Sequence, residues 1–274
     1  MRVHALILAA GLLGALGCAA APPVLEFDGE AVQGGLLFGR VSPGARVLVE
    51  GRPVRVSPAG EFLVGFNRDA PAAATVVALG ADGERTEAVL AVGQRTYRIQ
   101  RIDGLPPRQV TPDPEQLARI RREAAEIRAA RERDDPRVDF LGGFQWPAIG
   151  PISGVYGSQR VLNGEPRQPH YGVDVAAPAG TTVRAPAGGI VTFAHPDMYF
   201  SGATVVLDHG HGLSSSFLHL SRILVSVGDR VERGEPIGEI GASGRVTGAH
   251  LDWRMNLGEA RIDPELLVGP MPPR

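Results

Sequence analysis

The sequence predicts a mainly β protein in three parts: a small N-terminal β-sandwich-like domain, a linker helix, and a C-terminal twisted antiparallel β-sheet domain. Three observations predict this. Short runs of alternating apolar and polar residues recur along most of the chain, and the 36 Gly and 23 Pro among 274 residues supply the turns between them. One charge-rich stretch, Thr111–Pro136, carries a helical period instead. Every histidine except His4 lies beyond it, in the last part.

The chain starts with a basic residue and an apolar run from Ala5 to Leu16, followed by small residues and Pro22-Pro23. This pattern predicts a secretory signal peptide over residues 1–21, too short to span a membrane. Two processing routes remain open. Cleavage after Ala20 or Ala21 follows the small-x-small rule, while Ala15-Leu16-Gly17-Cys18 resembles a bacterial lipoprotein box that would anchor Cys18 to a membrane. Cys18 is the single cysteine, so a mature chain has no disulfide and no thiol catalysis.

Residues 24–105 predict the small β domain. Ala45–Val56 is a hairpin pattern around Gly51, Phe62, Val64 and Phe66 alternate, and Asp82-Gly83 marks a tight turn. Lacking histidine and convergent polar groups, the domain reads as a spacer rather than a binding module. Its pattern resembles immunoglobulin-like domains of bacterial envelope proteins. Residues 112–136 predict the linker helix, with Asp113 as cap, Pro114 in the first turn and a narrow stripe of Leu117, Ile120, Ala124 and Ile127. The stripe is too short for a coiled coil.

Residues 140–274 hold the candidate chemistry. A formal net charge of −2 gives no footprint for nucleic-acid binding. All basic residues are arginine, which excludes Schiff-base lysine chemistry, lysine-borne cofactors and a Walker-type phosphate loop. Ser214-Ser215-Ser216 lacks a nucleophile-elbow context.

In "QPHYGVDVAAP", His170 and Asp174 would lie about 13 Å apart in a straight strand, too far to share a metal. A shared site requires a bend, for which Gly172 is the candidate. His219 sits between Leu218 and Leu220 and by parity alone reads as structural. His209 also reads as structural, and His211 as an exposed loop residue. "HLDWRMNL" alternates strictly: Leu251, Trp253, Met255 and Leu257 on one face, His250, Asp252, Arg254 and Asn256 on the other. His250 and Asp252 would then stand side by side, about 6.6 Å apart along the chain.

Together, "HYGVD", "DHGHGLSSSFLHLS" and "VGDRVERGEPIGEIGASGRVTGAHLDW" resemble the lysostaphin-type (LytM-like) zinc endopeptidases of peptidoglycan, over about residues 150–264. The resemblance implies one Zn²⁺ per chain, with His170 and Asp174 as ligands and His219 and His250 as catalytic groups. The family's last motif is His-x-His, whose second His is the third ligand; here Asp252 stands in that place. Aspartate is a legitimate zinc ligand. It makes the ligand set formally neutral with the metal, which weakens the Lewis acid, and oxygen-rich ligation favours harder metals such as Mn²⁺. The resemblance further implies a peptidoglycan peptide substrate and an envelope location, most simply the periplasm. A non-cutting module that binds peptidoglycan or activates another wall hydrolase is the alternative.

Overall fold

The computed structural model describes residues 21–102 and 114–273. The leader, Cys18 and Asp113 lie outside the described residues. The chain divides into two compact units, residues 1–95 and 96–274.

The first unit holds seven strands: β1 (Leu25–Gly29), β2 (Leu36–Val41), β3 (Arg46–Val49), β4 (Arg52–Val54), β5 (Glu61–Gly65), β6 (Ala73–Leu79) and β7 (Arg85–Ala91). They form two antiparallel sheets, β1-β2-β5 and β4-β3-β6-β7. Alternation sends Val47, Phe62, Val64, Val76 and Ala78 into one core, where each is at most 1% exposed.

The second unit begins with β8 (Ile99–Ile102) and α1 (Pro114–Arg131), the one α-helix among the described residues. Twelve strands follow: β9 (Ile152–Gly154), β10 (Gln159–Leu162), β11 (Glu165–Pro166), β12 (Val173–Ala176), β13 (Thr182–Arg184), β14 (Gly189–Met198), β15 (Gly202–Asp208), β16 (Leu213–Ile223), β17 (Arg230–Val231), β18 (Pro236–Ile240), β19 (His250–Leu257) and β20 (Ala260–Ile262). The main sheet is antiparallel and runs β17-β14-β15-β16-β19-β12-β9, with β18 pairing β16 and β13, and β20 pairing β19. Strand β8 pairs in parallel with β10, so residues 99–102, expected in the first domain, form part of the second unit. A parallel partner this distant in sequence leaves no local signature.

Trp253, Phe217, Leu251 and Met255 are fully buried on one face of the sheet, and Trp146 packs edge-on against Trp253 at 6.0 Å. The opposite face is polar but also largely covered: Asp252 and Asn256 are each 2% exposed.

Helix α1 ends at Arg131 rather than near Pro136. Beyond it residues 132–138 form no regular element, with His211 N–H donating to Asp135 O (2.8 Å) and Arg137 pairing with Asp208. The anchoring of α1 is more polar than the predicted stripe implies. Ala124 is exposed, whereas Glu123 is buried and accepts from Tyr199 N–H (2.8 Å). Arg119 bonds both Glu123 and Asp197. His211, expected exposed, is 6% exposed with its ring edge-on to Phe140. His209 is fully buried: its Nδ1–H donates to Gly188 O (2.7 Å) and its Nε2 accepts from Ser215 Oγ (2.8 Å).

Candidate metal centre

Strands β12 and β19 are neighbours with Asp174 directly opposite Asp252. Register therefore places the two carboxylates on one face. His170 precedes β12 and turns back over it, so that its Nε2 lies 3.1 Å from Asp174 Oδ1 and 3.4 Å from Asp252 Oδ1. One donor atom from each residue falls within 4.8 Å of the other two. The bend expected at Gly172 exists, but the glycine serves mainly as space. A Cβ there would lie 2.6 Å from Asp252 Oδ1 and from Trp253 O. Gly154 does the same for Asp174, since a Cβ at that position would collide with its carboxylate.

His219 reaches this face through a backbone irregularity. On β16, Ser214 and Ser216 face the polar side opposite Asn256 and Arg254, while Phe217 points into the core opposite Trp253. Plain alternation would send His219 inward after Phe217. Instead, the pairing with β15 gains one residue on β16 between Phe217 and Leu220, and His219 adopts φ 66°. Such a bulge re-aims a side chain, and the left-handed backbone of a non-glycine residue is a local strain. The result is an imidazole that packs 4.9 Å from the ring of His250.

All three imidazoles are oriented alike. His170 Nδ1–H donates to Val155 O (3.3 Å), His219 Nδ1–H to Ser243 O (3.0 Å) and His250 Nδ1–H to Gly248 O (2.9 Å). A carbonyl only accepts, so each ring carries its proton on Nδ1 and turns Nε2 toward the carboxylates. His219 Nε2 lies 4.0 Å from Asp252 Oδ2, and His250 Nε2 lies 3.8 Å from Asp174 Oδ1.

The donor set fits a divalent metal on an observation internal to the site. His170 Nε2 and Asp174 Oδ1 are buried and make no hydrogen bond, yet they face each other. Two lone pairs opposed at this distance call for a positive charge between them. Burial disfavours protonation of His170, but Asp174 and Asp252 more than offset it and raise its pKa. Burial of His219 lowers its pKa and keeps that ring neutral.

Arg254 is the residue whose part the sequence reading did not identify. It stands two positions after Asp252 on the same face. Its Nε lies 3.0 Å from both oxygens of Asp252, and its Nη2 lies 2.5 Å from Oδ2. Burial would raise the pKa of Asp252, but Arg254 and His170 hold it below the usual carboxylate range. The charge that Asp252 adds relative to a histidine is thus returned by Arg254. The spacing Asp-x-Arg on a polar strand face was the available signal.

A profile of peptidase family M23 matches residues 168–264, which span every one of these groups. The peptidoglycan DD-endopeptidase ShyA of Vibrio cholerae is 44% identical over 89 residues, 32% of this chain and 20% of that protein. The DD-carboxypeptidase/endopeptidase Mpg of Neisseria meningitidis is 37% identical over 103 residues, 38% of this chain and 24% of that protein. The match thus spans about a quarter or less of these relatives' length. A solved Pseudomonas aeruginosa structure described as peptidase M23 is 34% identical with a TM-score of 0.67, covering 87% of this chain and 95% of that one. Fold, clustered site and relatives point to one family of β-sheet proteins. The chain belongs to peptidase family M23.

Proposed function

We propose that the protein is a zinc-dependent endopeptidase that hydrolyses peptide cross-links of peptidoglycan in the bacterial envelope. The observation that supports this most is the convergence of His170 Nε2, Asp174 Oδ1 and Asp252 Oδ1 beside His219 and His250. His170, Asp174 and Asp252 would hold one zinc ion, with the second oxygen of Asp252 kept by Arg254. When bound, the metal polarises the scissile carbonyl and acidifies water. His219 and His250 then act from beside the carboxylates. Between them they accept the proton of the attacking water at Nε2 and, once protonated, hydrogen-bond the developing oxyanion. That proton passes to the leaving amine nitrogen as the C–N bond breaks. Because Nδ1 of each ring is engaged by a carbonyl, Nε2 is the atom through which the proton moves.

The non-cutting alternative draws support from one feature: Arg254 already neutralises Asp252. Metal analysis with peptidoglycan digestion separates the two. The purified mature protein should carry about one divalent ion per chain, and a chelator should stop digestion. Asp252→Ala should remove the metal. His219→Ala and His250→Ala should each keep it and lose 10²–10⁴-fold in turnover, on the order typical of general acid–base groups. Wild type without metal, or metal-loaded wild type that leaves peptidoglycan intact, would sink the endopeptidase reading. The envelope location rests on the leader at residues 1–21 and on the substrate.

A further inference from the structure

We propose that Arg131, Arg254 and Arg261 form an anion-binding subsite beside the metal centre, and that it receives a carboxylate of the peptide substrate. This deepens the endopeptidase reading and rests on it for the identity of the ligand.

The three arginines come from different elements and are brought together by strand register. Arg254 projects from the polar face of β19, opposite Ser216 of β16. Arg131, in the last turn of α1, extends Nη2 to Ser216 Oγ at 3.3 Å. Arg261 of β20 pairs with Asn256 in register and extends Nη1 to Asn256 Oδ1 at 3.3 Å, its guanidinium 5.3 Å from the ring centroid of Tyr171. Asn256 is two residues along β19 from Arg254, on the same face. One patch of sheet thus carries three guanidinium groups, each partly exposed.

Two polar atoms in this patch are unsatisfied. Asp252 pairs with Arg254. Arg131 Nε is buried and has no hydrogen-bond partner, and neither has the buried Ser214 Oγ in the register position opposite Asn256. Burial, followed by repulsion from Arg261 and Arg254, pushes the Arg131 pKa down to about 9. Arg261 is likewise lowered by burial and then by Arg254. Like charges gathered in a half-covered site are costly unless an anion answers them. The guanidinium fork matches a carboxylate in shape and donor spacing.

The position fixes where such a carboxylate would sit. Arg254 and Asn256 lie about 7 Å and about 13 Å along the strand from Asp252. An extended peptide covers that span in two to four residues. The ligand class is therefore a peptide with a free carboxylate two to four residues from the bond being cut.

Binding can test this without cleavage. Three fluorescent peptides of one sequence would be titrated into zinc-loaded full-length protein, read by anisotropy: one ending in a carboxylate, one in a carboxamide, and one amidated but bearing a side-chain carboxylate near its end. One or both carboxylate peptides should bind at least tenfold more tightly than the plain amide, and which of them does so identifies the source. Arg131→Gln and Arg261→Gln should each erase that difference while leaving amide binding and metal content unchanged. The two sites lie on different elements, so the test survives if one variant fails to fold. Equal binding of acids and amide by wild type, or variants that weaken all three peptides alike, would overturn the proposal. A protein that binds acids selectively but cuts nothing would instead overturn the endopeptidase reading and leave the subsite standing.

Discussion

Removing Arg254 should destabilise the metal-free protein and enlarge the stabilisation that zinc gives. Asp252 is 2% exposed and holds three contacts to Arg254 of 2.5–3.0 Å. Breaking a buried pair by deleting one partner strands a charge and costs about 3–5 kcal/mol. The Arg254 side chain is 27% exposed, so the lower end applies, about 3 kcal/mol. For a unit of this size that is a fall of about 6–12 °C in Tm. Zinc supplies the missing positive charge directly to Asp252, whereas in wild type it must share the carboxylate with Arg254. Arg254→Met should therefore melt early in chelator and regain most of the loss with zinc, by linkage between binding and folding. Calorimetric melts of wild type and Arg254→Met, each in chelator and in excess zinc, give the four numbers needed. If the variant is as stable as wild type in chelator, or gains no more than wild type from zinc, the charge-compensation argument is wrong.

Two further outcomes follow from buried groups elsewhere. Burial lowers the His209 pKa from 6.5 to about 4. Its stabilisation is complete above pH 6.5 and is lost as pH falls toward 4, because the unfolded chain takes up the proton first; this amounts to about 3 kcal/mol. Urea unfolding of chelator-treated protein across pH 4–7 should show that slope, and His209→Gln should flatten it. Gly154→Ala should push the Asp174 carboxylate out of place and weaken zinc binding by about 10–100-fold with the fold retained, measured by competition with a zinc indicator; unchanged affinity would show that Asp174 has room to spare.

Much of this was legible because strand alternation is a local property. The face of β19 bearing His250, Asp252 and Arg254 could be read directly, as could the buried face of Leu251, Trp253 and Met255. The bend at Gly172 followed from a length argument, although the glycine's main service is room for Asp252. What parity could not reveal was His219, since a one-residue bulge depends on pairing with β15 and not on neighbours in sequence. The pairing of β8 with β10 and the burial of His211 are likewise set by distant partners. The neutral ligand set expected from Asp252 counts the ligands alone. Arg254 alters the balance because it sits one alternation further along the same face.

The bulge at His219 also has a meaning for how the sheet can change. A strand has two phases, inward and outward, and the extra residue on β16 is a phase shift between them. Smoothing out that bulge with the sequence unchanged would leave every core side chain from Leu213 to Phe217 in place and restore an ordinary pleat. The histidine would then turn away from the carboxylates. Fold and chemistry in this domain are thus separable by one backbone step, in a strand otherwise built for packing.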